Sequence, residues 1–116
     1  MQTEATELLR IAKSLTAKPS REDIVEIADT IRKQIGRNTL MYVGANQFKA
    51  SYDSDGIFLS FKASGGNLQR GGLIKVSYNY GTDEYVVRGY RNMKEIAEVK
   101  GVQFPELGST IEEITG

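Results

Sequence analysis

Lys75, Ser77 and Asn79 alternate along one short run of the chain, and Arg88 and Tyr90 along the next. Cations neutralise phosphates or carboxylates and an aromatic ring offers a stacking surface, so this set suits contact with a polyanion or an acidic partner. The runs that carry it are Leu73-Ile74-Lys75-Val76-Ser77-Tyr78-Asn79-Tyr80 and Glu84-Tyr85-Val86-Val87-Arg88-Gly89-Tyr90, separated by Gly81-Thr82-Asp83. Alternating β-branched, aromatic and polar residues around such a turn predict a β-hairpin. With Thr82 and Asp83 at the centre of the turn, Gly81 faces Glu84 and Tyr80 faces Tyr85. That register gathers Ile74, Val76, Tyr78, Tyr80, Tyr85 and Val87 on an apolar face. Lys75, Ser77, Asn79, Val86, Arg88 and Tyr90 share the other, and Lys62, Ser60 and Phe58 join them if the strand before is adjacent.

Three readings fit the polar face: one solvated side of an antiparallel sheet, a docking surface for a protein, or a nucleic-acid surface. Other motifs point less far. The segment Ser64-Gly65-Gly66-Asn67-Leu68-Gln69-Arg70-Gly71-Gly72 spaces Gly66 and Gly71 as the first half of a phosphate loop does. Gly72 and Leu73 stand where Lys and Ser or Thr are needed, and a strand follows, not a helix. A mobile hairpin connection is expected there, with Arg70 available to a partner. Asp53-Ser54-Asp55-Gly56 opens like a calcium loop but lacks the closing glutamate and flanking helices, so an Asx turn is expected. Tyr42, Tyr78, Tyr80 and Tyr85 suggest a stacking platform, but three of them fall on the apolar face and are assigned to the core.

Composition narrows the chemistry further. The 116 residues contain no cysteine and no histidine, which removes disulfides, thiolate catalysis, most zinc sites and the commonest general base at neutral pH. No Ser-x-x-Lys pair or convincing carboxylate pair takes their place, so no catalytic residue, metal or cofactor is expected. The net charge is zero but unevenly spread: residues 1–29 hold four basic and six acidic groups, residues 30–94 ten and four, and residues 95–116 one and five. The basic middle falls short of the excess usual in nucleic-acid-binding proteins. No apolar run approaches the ~20 residues needed to span a bilayer. Met1-Gln2-Thr3-Glu4 lacks the basic and then apolar order of a signal peptide, so a cytoplasmic location is expected.

The periodicity predicts a single α+β domain over residues 1–116. A first helix is expected over residues 4–15, with Leu8, Ile11, Ala12 and Leu15 on one face. A second, capped by Ser20, carries the stripe Ile24, Ile27, Ala28, Ile31 and Ile35, an Asp29 to Lys33 pair and a stop at Gly36. Strands are expected over residues 40–45 and 57–63, with residues 51–56 connecting them. Residues 93–99 fit either a strand or a short helix. Pro105 opens a last helix with Leu107, Ile111 and Ile114 inward, weakened by Gly108 and by Glu112-Glu113. The whole reads as two N-terminal helices, an antiparallel sheet of four to five strands and a C-terminal helix.

Residues 30–116 resemble small proteins encoded by phages, plasmids and other mobile elements. The resemblance rests on Gln34-Ile35-Gly36, Met41 with Gly44-Ala45-Asn46, Leu59-Ser60-Phe61, Ile74-Lys75-Val76, Tyr85-Val86-Val87-Arg88-Gly89 and the closing Leu107, Ile111 and Thr115-Gly116. It departs after Asn46, where a lysine is common and this chain has Gln47-Phe48. The resemblance implies an accessory protein of a mobile element, a class that includes inhibitors of host defence such as anti-CRISPR proteins. With the missing catalytic residue types, it gives the expectation of a non-enzymatic protein that binds a host protein or nucleoprotein complex. The alternative is a nucleic-acid-binding accessory domain using the basic sheet face. The expected contact residues in either case are Lys62, Lys75, Ser77, Asn79, Arg88 and Tyr90.

Overall fold

The computed structural model describes residues 19–116, so the helix expected over residues 4–15 lies outside the described residues. The described chain begins with helix α1, Arg21–Ile35. Ser20 caps it as expected: its Oγ accepts from the Asp23 amide at 3.1 Å, and the Asp23 carboxylate accepts from the Ser20 amide at 3.3 Å. Two of the donors left open at a helix start are satisfied in this way. The stripe from Ile24 to Ile35 is buried, while Asp29 and Lys33 pair at 3.1 Å on the exposed side.

Residues 40–45 correct the sequence reading. Where a strand is expected, the chain forms a short helix α2, Arg37–Tyr42, after Gly36 turns with φ of 93°. The strand-like composition of Leu40-Met41-Tyr42-Val43 is overridden by tertiary bonding. Thr39 Oγ1 donates to a Glu112 carboxylate oxygen at 2.7 Å, and Val43 is wholly buried.

Five antiparallel strands follow in simple meander order: β1 Asn46–Asp53, β2 Gly56–Gly65, β3 Gln69–Asn79, β4 Glu84–Arg91 and β5 Lys94–Val102. Residues 51–56, expected to be a connector, instead complete β1 and begin β2. Ser54 and Asp55 alone form the turn, held by the expected Asx bond from the Asp55 amide to Asp53 Oδ1 at 2.9 Å. The glycine-rich segment is likewise mostly strand. Its turn is Gly66-Asn67-Leu68, pinned by the Asn67 amide donating to Thr115 O at 2.6 Å, with Leu68 wholly buried. The expected hairpin connection is present, but as a tight turn built into the core and not a long loose loop.

Of residues 93–99, Met93 falls in the turn and Lys94 to Val99 belong to β5. Their period is unreadable because Ile96 is an extra residue between the Tyr90–Glu95 and Gly89–Ala97 pairs, and a second extra residue occurs near Gly101. Bulges at an edge strand break alternation and blunt the edge against further pairing. A 3-10 turn over Phe104–Glu106, with Pro105 near its start, leads into the last helix, α3, Leu107–Thr115.

Helices α1 and α3 pack on one face of the sheet, α1 over β1 and β2 and α3 chiefly over β4 and β5. Phe61, Ile74, Val76, Tyr78 and Val87 rise from the sheet to meet Ile27, Ile31, Leu107 and Ile111, all essentially inaccessible to water. Glycine makes two of these contacts close. A Cβ at Gly89 would overlap Ile114 Cγ2, and one at Gly108 would lie 2.9 Å from Thr39 Oγ1 and 3.0 Å from the Ile35 carbonyl oxygen. Gly108 and Glu112, which weaken α3 as an isolated helix, are thus the residues that dock it. No helix among the described residues is long and apolar enough to cross a membrane.

Candidate functional site: the uncovered sheet face

The register of β3 and β4 differs from expectation by two residues. Tyr78 faces Tyr85 and Asn79 faces Glu84, so the turn is Tyr80-Gly81-Thr82-Asp83. A shift of two preserves the faces, because side chains alternate with period two. Tyr80 alone leaves its expected apolar setting and lies 52% exposed in the turn. Tyr42 is also outside the core, whereas Tyr78 and Tyr85 are buried with ring centroids 5.5 Å apart. The Tyr78 hydroxyl donates to Asp83 at 2.6 Å, fastening the turn to the core.

All six expected contact residues fall on the side of the sheet away from the helices. Lys62 pairs with Leu73, Ser60 with Lys75 and Phe58 with Ser77, while Lys75 stands opposite Arg88 and Leu73 opposite Tyr90. Two cations directly across from each other repel. Four carboxylates from other strands and turns answer them. Lys75 is ion-paired with Asp53 and lies over the Phe58 ring, 4.4 Å from its centroid. Arg88 reaches Glu98 at 2.9 Å, Asp55 at 3.3 Å and Glu95 at 3.5 Å, with 14% of its side chain exposed.

The middle of the face is therefore a knit of two cations and four carboxylates, and not the basic strip that Lys75 and Arg88 suggest in isolation. Burial raises the Asp53 pKa, but hydrogen bonds from Lys75 and the Asp55 amide, with attraction from Lys75 and Arg88, outweigh it and hold the carboxyl below its ordinary value. That is the opposite of what a general acid near neutral pH requires. A cavity of about 680 Å³ lies beside this knit, between the β1–β2 and β3–β4 turns, and Asp53, Asp55 and Arg88 line it. Of its charged lining, Asp53, Asp55 and Arg88 are paired within the protein, and Lys100 has no carboxylate partner among the described residues.

Ser77 is too buried to be a contact residue, and Asn79 has a local role. Ser77 is 1% exposed, and its Oγ has no hydrogen-bond partner among the described residues. Asn79 Oδ1 accepts from the Gly81 amide at 3.0 Å and shapes the turn. Lys62 and Tyr90 remain accessible, at the opposite end of the face. There Lys62, Arg70, Leu73, Tyr90 and Met93 surround a cavity of about 390 Å³ beside Gly71 and Gly72. Among the described residues no carboxylate pairs with Lys62 or Arg70.

Leu73 and Met93 were not singled out as contact residues in the sequence. Leu73 lies in β3 opposite Tyr90, and the signal for Met93 is in the turn: Asn92 and Met93 are the two residues between paired Arg91 and Lys94, with φ of 52° and 67°. That is a type I′ turn, in which the second position ordinarily belongs to glycine. No group of metal-ligating side chains occurs among the described residues.

Compared with protein-family models, curated proteins and solved structures, the chain matches none.

Proposed function

We propose that this protein is a non-enzymatic, cytoplasmic interaction module that docks a protein partner on its uncovered sheet face. In keeping with the resemblance over residues 30–116, the partner is a host protein or nucleoprotein complex that a mobile element inhibits or modulates. The observation that carries the docking reading is the separation of the described residues into two sides. One sheet face is sealed by α1 and α3, and the other presents half-buried Phe58, Leu73, Val86 and Tyr90 among ion-paired side chains. Aromatic and aliphatic anchors among satisfied polar groups are the composition of protein interfaces.

The same knit argues against the nucleic-acid alternative, because Lys75 and Arg88 would have to surrender carboxylates before they could neutralise phosphate. A photo-crosslinking residue placed at Phe58, compared with one at Tyr42 in α2, tests the reading in host cells. The expected result is one defined protein crosslinked from position 58 and not from position 42. Crosslinks from position 42 alone, or nucleic acid as the sole crosslinked species, would overturn it.

A further inference from the structure

The geometry points to a specific subsite at the Lys62 end of the open face, which takes an acidic peptide segment bearing one bulky apolar side chain. The inference deepens the proposed docking role and rests on it. Two kinds of observation converge at this place.

The first is charge. Lys75 and Arg88 in the middle of the face are matched, whereas Lys62 and Arg70 flank the cavity without a carboxylate among the described residues; Lys49, out on the β1 edge, also lacks one. Both are exposed. Two such cations set either side of an apolar surface suit carboxylates on a segment that lays an apolar residue between them.

The second is the cavity itself. Leu73 and Tyr90, paired across β3 and β4, give it apolar walls. Met93 stands at its rim, 97% exposed, in a left-handed conformation with φ of 67°. A flexible, polarizable thioether is an adaptable contact for apolar side chains. Its place in a conformation that favours glycine is a local cost that the fold does not need, since Met93 packs on nothing in the core. Gly71 lets the turn approach closely: a Cβ there would overlap the Asn92 side chain, and the Asn92 amide donates to Gly71 O at 3.1 Å. The volume of about 390 Å³ is at the small end of the ~300–1,000 Å³ typical of ligand pockets. It suits one side chain and its flanking backbone.

The test is an NMR titration of the isotope-labelled full chain with three probes. These are a twelve-residue Asp/Glu peptide with one central Phe, the same peptide with Ser in that place, and a twelve-nucleotide single-stranded DNA. The Phe peptide is expected to shift the amides of Lys62, Arg70 to Leu73 and Tyr90 to Met93, and to bind at least about tenfold more tightly than the Ser peptide. The double variant K62E/R70E should lose about tenfold or more in affinity while its spectrum stays dispersed, and Met93→Gly should lose several-fold. The subsite is overturned by no shifts at millimolar Phe peptide, by equal binding of the Ser peptide, or by the oligonucleotide binding there as well or better. Crosslinking from position 58 keeps this result separate from the docking reading. If the same partner is captured as strongly by K62E/R70E as by the unmodified chain, the subsite falls and the open-face reading stands.

Discussion

Met93 is where a single residue's energetics and its use part company. A non-glycine residue in the left-handed region costs roughly 1–2 kcal/mol, part of which glycine gives back through the entropy of the unfolded chain. Met93→Gly should therefore stabilise the fold by about 1 kcal/mol, seen as a higher urea midpoint with an unchanged slope, even as it weakens peptide binding. A destabilised Met93→Gly variant would mean that the side chain serves the fold. Asp53 makes a second prediction. Its carboxyl is held below the ordinary value in the folded state, so the stability it contributes is present above the unfolded-state pKa near 4 and is lost as pH falls through the folded value. Replacing Lys75 with Met should move the Asp53 titration upward, as followed by carboxyl NMR shifts, and should lessen that acid-side loss. Because the pair is partly exposed, added salt should shrink the difference.

At the scale of elements, what was legible in the sequence was whatever a single element decides for itself. The stripe and cap of α1, the inward face of α3 and, Tyr80 and the exact register aside, the faces of the β3–β4 hairpin depend on local period and side-chain chemistry, and these appear as expected. Three parts were not local. Residues 37–42 are helical because Thr39 and Val43 find partners far along the chain, which outweighs the strand propensity of their neighbours. β5 carries two bulges, and a bulge erases the alternation by which a strand is read. The glycine-rich segment looks like a linker until Leu68 is seen under α3.

The charge balance of the open face was illegible for the same reason. Asp53, Asp55, Glu95 and Glu98 can be matched to Lys75 and Arg88 only when β1, its turn and β5 are placed. It follows that charge reversal at Arg88 probes the fold before it probes binding. Arg88→Glu would set a fifth carboxylate among Asp53, Asp55, Glu95 and Glu98 and should cost about 1–3 kcal/mol by denaturant unfolding, below the range for a fully buried pair because the carboxylates are 35–50% exposed. Gly89→Val should cost about 1–3 kcal/mol or more by forcing α3 off the sheet.

The described residues make an asymmetric pair of sheet faces: α1 and α3 seal one, and the other mixes apolar anchors, a largely neutralised centre and a cationic end. Zero net charge leaves no strong field to draw in a polyanion. Partner binding is accordingly expected to have a shallow salt dependence, set by the two exposed cations Lys62 and Arg70, and not the steep slope of a multi-phosphate contact. The most direct measurement of docking on the open face is the crosslinking comparison between position 58 on that face and position 42 on α2. Capture of one protein from position 58 alone is expected; capture from position 42 alone, or of nucleic acid alone, would overturn the docking role.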